Sequence, residues 1–157
     1  MNFYFSGIFV KGLTCISLLG LIACEPVTML PNTSIPLRNP TAPIASQVDV
    51  TVERMNGDWQ VVSGAGIAVG SHLTITDSLI LIDGVEQSFA PSGPGRFKLG
   101  GEDIWVHWLD INNRTAALGN PDGARVWIMD RQGNPGERLN AARKILNWYG
   151  YDLNRLK

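Results

Sequence analysis

Apolar positions fall into three rhythms along the chain. From Phe3 to Ala23 they run almost unbroken, with Lys11 the sole charge. From about Val48 to Arg131 short apolar runs alternate with turn residues, and from Leu139 to Tyr149 they recur at helical spacing. Between the first two lies Glu25 to Gln47, rich in proline and free of aromatic residues.

The middle rhythm is that of an antiparallel meander. Candidate strands occupy 57–63, 71–76, 78–83, 85–90, 95–99, 102–110, 114–119 and 124–131, the second and third of which can also be read as one. Asp83-Gly84 between LILI and VEQSF predicts a two-residue hairpin, because a type I′ turn needs positive φ at both central residues. Asn112-Asn113 has weaker turn chemistry of the same kind, and Asn120-Pro121-Asp122-Gly123 suits a type I turn. Many short consecutive strands predict an all-β fold. A closed barrel or a sandwich would both suit them, closure being the surest way to remove exposed edges.

The last rhythm predicts one helix. Asn134-Pro135-Gly136-Glu137 reads as N-cap, first-turn proline and capping-box glutamate. Leu139, Ala142, Ile145, Leu146 and Tyr149 form one apolar stripe, Arg143 and Lys144 stand toward the C-terminal end, and Gly150 is placed to stop the helix. Such a stripe must be buried on the outer face of the sheet or barrel.

Alternation along the strands sorts candidate core from candidate surface. Ile104, Val106 and Trp108 share one side of their strand, with Trp105, His107 and Leu109 on the other. By the same rule Trp127 and Met129 share a face with Arg125 and Arg131, opposite Val126 and Ile128. Trp105, Trp108, Trp127, Met129 and Phe97 are the candidates for lining a ligand cavity, although core packing alone would also explain these tryptophans.

The chain has 157 residues, 13 Lys+Arg against 14 Asp+Glu, and two cysteines. The balanced charge, without a basic stripe, argues against nucleic-acid binding. Gly12 to Ala23 follows a basic residue in the order of a secretory signal, and Leu21-Ile22-Ala23-Cys24 resembles the lipobox of bacterial lipoproteins. An uncleaved N-terminal anchor is the alternative. The lipobox implies cleavage before Cys24, lipidation of its sulfur and attachment to the cell envelope, with the outer membrane facing the periplasm as the expected location. Several acyl chains together make such attachment stable. Cys15 would be lost with residues 1–23, leaving no thiol for a disulfide, metal or nucleophile. Residues 24–47 then read as the lipidated Cys and a Pro-rich tether, and 48–157 as the folded domain.

Gly57-Asp58-Trp59 fits the G-x-W signature of lipocalins, and Val126-Trp127-Ile128-Met129-Asp130-Arg131 resembles their last strand with its closing Arg. The following helix and Trp148-Tyr149-Gly150-Tyr151-Asp152-Leu153 are similar to the tail of bacterial outer-membrane lipocalins. The resemblance implies a small antiparallel up-and-down barrel of about eight short strands with the helix packed outside, in which Trp59 lies across the closed end with Arg131 over its indole, a structural trio with Gly57. It also implies binding of a small hydrophobic or amphipathic ligand of the fatty acid or lysolipid class. Asn120-Pro121-Asp122-Gly123 departs from the usual Thr-Asp-Tyr type turn. The short strands leave a second reading open: a barrel filled by its own side chains, serving as a structural or protein-interaction module with an envelope partner.

No catalytic constellation stands out. His72 and His107 are far apart with no metal-ligand spacing, and the serines lack a nucleophile elbow. Gly93-Pro94-Gly95 lacks the residues that complete a phosphate loop. A non-enzymatic protein without cofactor or metal is expected.

Overall fold

The computed structural model describes residues 35–157. The signal segment, Cys24 and the first part of the tether lie outside the described residues. The architecture is a closed antiparallel barrel in which each strand pairs with its sequence neighbour and β8 returns to β1. Its strands are β1 (Gly57–Ala65), β2 (His72–Ile75), β3 (Leu79–Ile82), β4 (Val85–Gly93), β5 (Arg96–Leu99), β6 (Glu102–Leu109), β7 (Thr115–Gly119) and β8 (Val126–Asp130). All eight expected strands are present, with β2 and β3 separate. A single turn of helix, α1 (Val52–Met55), precedes β1, and α2 (Glu137–Trp148) follows β8.

The hairpin at Asp83-Gly84 forms as its chemistry predicts, with φ of 50° and 82°. β1 and β8 enclose the barrel through the pairs Gln60–Asp130 and Val61–Met129, after which a bulge shifts the register. The connections β1–β2, β3–β4, β5–β6 and β7–β8 lie at one end, called here the distal end. The other three connections, β2–β3, β4–β5 and β6–β7, lie with α1 at the opposite end.

Two apolar clusters divide the molecule. The larger one fills the barrel, running from Val50 and Met55 at the α1 end through Trp59, Phe89, Phe97, Ile104, Leu118 and Trp127. Ile67 and Ile82 pack against it from the distal end. The smaller cluster joins the outer faces of β7 and β8, through Ala117, Val126 and Ile128, to Ala142 and Leu146 of α2 and to Tyr151. The helix stripe is thus buried outside the barrel, against β6, β7 and β8.

The ends of α2 depart from expectation in one place and agree in the other. The N-cap position is Gly136, with φ of 59° and no side-chain cap, so Asn134 and Glu137 do not form a capping box. The reason is Asp130, whose buried Oδ1 accepts the backbone N–H groups of Gln132 (2.9 Å) and Asn134 (3.1 Å) and so dictates the turn. At the C-terminus Gly150 adopts φ of 84°. Tyr151 N–H donates to Leu146 O and Gly150 N–H to Asn147 O, the paired bonds of a Schellman stop. Arg143 reaches Ser63 and Leu153 O rather than the end of its own helix.

Residues 35–47 are not a free tether. They form a strap along the barrel, joined by Leu37 N–H to Gly123 O, Asn39 N–H to Gly150 O and Gln47 N–H to Val106 O. Leu37 is buried in the outer cluster, and a β-bridge links Arg38 to Tyr151. Prolines lack a donor, but Leu37, Asn39 and Gln47 place theirs on partners outside the strap, which pulls the domain boundary toward the N-terminus.

Candidate functional site

The closed end is built around Trp59. Its Nε1–H donates to Met55 O at 2.7 Å, and the guanidinium carbon of Arg131 stands 4.0 Å from the ring centre. Arg131 also donates to Asn113 O and, at 3.1 Å, to Arg54 O, tying the β6–β7 loop and α1 to the barrel end. Burial lowers the pKa of Arg131 from its ordinary value, with Asp58 and Asp110 opposing the shift. Gly57, Trp59 and Arg131 therefore come together, and their contact closes the barrel without presenting a reactive group.

The five lining candidates separate. Phe97, Trp127 and Met129 point inward and are each at most 1% exposed. Phe97 stacks on Phe89 with ring centres 4.6 Å apart. Trp105 and Trp108, by contrast, both lie outside the barrel. Trp105 is covered by Arg96, 4.0 Å above its ring, and Trp108 joins the cluster beneath α2. The cause is a bulge between Val106 and Trp108, which inserts His107 as an extra residue on the outer side. Ile104, Val106 and Leu109 face inward, while Trp105, His107 and Trp108 face outward. Strict alternation fails at that point.

The barrel interior is filled. The buried side chains of the inner cluster are at most 3% exposed and pack against one another across the barrel axis. Trp127 Nε1 is buried there without an acceptor. Among the described residues, two grooves lie at the ends of the barrel. An apolar groove of about 470 Å³ at the α1 end is bordered by Val48, Val50, Val52, Pro91, Pro94 and Phe97, with Glu53 at its edge. A second, of about 330 Å³, lies at the distal end beside Ile35, Ile67, Arg155 and Lys157.

A buried polar cluster under the strap was not legible in the sequence. His107 is 4% exposed. Its Nδ1 stands 2.7 Å from Ala45 O, a carbonyl that only accepts, so that nitrogen carries the hydrogen. Its Nε2 is 2.9 Å from the Tyr151 hydroxyl, which also lies 2.9 Å from Asn120 O. Burial drives the His107 pKa down to about 4; the bond to Ala45 opposes this and the Arg38 charge adds to it. Burial likewise raises that of Tyr151, which stays a neutral hydroxyl. Arg38, itself buried, donates to Tyr149 O (2.8 Å), Pro121 O (3.3 Å), Pro43 O (3.2 Å) and Ala42 O. The whole cluster serves to hold the strap.

Asp130 is a second site that the sequence did not single out. Besides the two turn amides, its Oδ2 accepts from Thr115 Oγ1 at 2.7 Å, and Arg138 donates to that same Thr115 oxygen. Burial acts to raise its pKa, but hydrogen bonds from Thr115, Gln132 and Asn134 and the charge of Arg114 leave it lowered. Among the described residues no group of three or more His, Cys, Asp or Glu is placed to hold a metal ion.

The fold and these sites define a small closed barrel with a packed interior, an outer helix and a fastened strap. No protein-family model matches the chain, and no curated protein matches it.

Proposed function

We propose that this chain is a lipocalin-like lipoprotein of the bacterial envelope, attached through lipid on Cys24, and that its barrel is a non-enzymatic structural or protein-interaction module working from its outer surface. The supporting observation is the filled interior: the buried side chains of the inner cluster, from Val50 and Met55 through Trp127 and Met129, are at most 3% exposed. An eight-stranded barrel is just wide enough to be filled in this way. Titrating the purified protein with fatty acids and lysophospholipids is expected to leave the fluorescence of the inward Trp59 and Trp127 unchanged. Saturable one-to-one binding that quenches them would overturn the reading. For the anchor, Cys24→Ala is expected to abolish acyl labelling, and persistent labelling would remove it.

A second reading is favoured by the groove at the α1 end. There a small hydrophobic or amphipathic molecule of the fatty acid or lysolipid class would lie against Val48, Val52 and Pro94 rather than inside the barrel. Calorimetric binding that is lost in Val48→Glu, with unfolding unchanged, would select this reading over the first.

A further inference from the structure

The distal end of the barrel carries an apolar rim. Ile35 is 79% exposed, Val69 48% and Val85 63%, and each belongs to that end. Val69 lies in the β1–β2 connection and Val85 follows the β3–β4 turn. Ile35 borders the cavity beside Gly64 and Gly123. The last turn of α2 reaches the same end, since Arg38 joins Tyr149 O to Pro121 O of the β7–β8 turn. That turn of α2 carries Trp148, which is 72% exposed. Arg155 and Lys157 stand beside Ile35, and Arg155 Nη1 donates to Ile35 O at 2.8 Å. Aliphatic side chains with an exposed Trp and flanking cations are the composition of a surface that rests in the headgroup region of a bilayer.

The route of the chain gives this rim its partner. Residues 35–47 are spent on the barrel, so only Glu25 to Ser34 separate Cys24 from Ile35. That stretch can span at most about 40 Å. It enters the domain at the distal rim, whereas the α1 end, with its own exposed Val48 and Ile111, stands a barrel's height away, roughly 20 Å, so that seating that end on the lipid would hold the tether stretched over about half of its full reach at a cost in chain entropy. We infer that the distal rim docks on the lipid surface that holds the anchor, with Ile35, Val69, Val85 and Trp148 at the interface and the α1 end turned away. This rests on the lipoprotein reading above. Asp83, Glu102 and Asp122 lie at the same end, so the face is mixed in charge and docks through its apolar residues rather than by attraction to anionic lipid.

The test uses the full acylated protein in phosphatidylcholine vesicles that contain a lipid with a quencher at headgroup depth. A thiol-reactive dye is placed at Val69→Cys, at Val85→Cys as a second rim site, or at Ile111→Cys. Quenching is expected to be several-fold greater at 69 and 85 than at 111, and to persist in high salt. Equal quenching at all three, or stronger quenching at 111, would overturn the orientation. Acyl labelling of the same preparations reads the anchor separately. If acylation is present without rim quenching, the docking face falls and the lipoprotein reading stands. If acylation is absent but residue 69 is still quenched, the face stands and the anchor falls. Absence of both overturns both.

Discussion

A β-carbon added at Gly57 would stand 2.8 Å from Nη1 of Arg131, although the two residues open and close the barrel sequence. Gly57 also has φ of 105°, a region that L side chains rarely adopt. The small residue before Trp59 thus leaves room for the guanidinium that covers the indole. Gly57→Ala is expected to destabilise the fold by about 1–3 kcal/mol through backbone strain and displacement of Arg131. Urea unfolding with an unchanged m-value checks it.

Stability should fall on mild acidification because of His107. Its folded pKa of about 4 lies below the unfolded value of 6.5. Between those limits the unfolded chain binds the extra proton, so this contribution is complete above pH 6.5 and lost as pH falls toward 4. The full loss is about 3 kcal/mol. Denaturation curves across that window should show the slope, and His107→Gln should flatten it. An unchanged slope in the variant would assign the effect to other groups.

Asp130→Asn replaces an acceptor of several hydrogen bonds by an amide that cannot accept at both ends. A loss of about 1.5–3 kcal/mol is expected. Because Asp130 fixes the turn into α2, hydrogen exchange should quicken first at the start of Glu137–Trp148.

Removing Arg38 leaves carbonyls of the strap, the β7–β8 turn and the helix end without their shared donor. In Arg38→Ala the strap should open at a free-energy cost lowered by about 1–3 kcal/mol while the barrel stays folded. Limited proteolysis is expected to cut within residues 35–47 well before the barrel is attacked.

A filled interior also predicts the response to truncation. Leu118→Ala, at a side chain that is 1% exposed, should cost about 2–5 kcal/mol because the void has no solvent to enter it. A cost near zero would indicate an open cup.

The sequence by itself determined the strand meander, the Asp83-Gly84 hairpin, the helix stripe and its Gly150 stop. These follow from local rules: two-residue alternation, positive φ at particular positions and helical spacing. The Trp59–Arg131 contact was legible from a resemblance in motif order, since the two residues come together only when the barrel closes. Tertiary structure alone decided the rest. A single inserted residue at His107 reversed the face of Trp108, because alternation has no memory across a bulge. The proline-rich stretch 35–47 reads as a linker by composition, yet its donors and the Arg38 side chain find partners on distant elements. Asp130 overrode a locally sound capping box because a buried carboxylate must be satisfied by whatever amides lie nearest. Whether the barrel was a cup or a packed core depended on how side chains from all eight strands met across its axis, which is a property of their joint volume and not of any one segment.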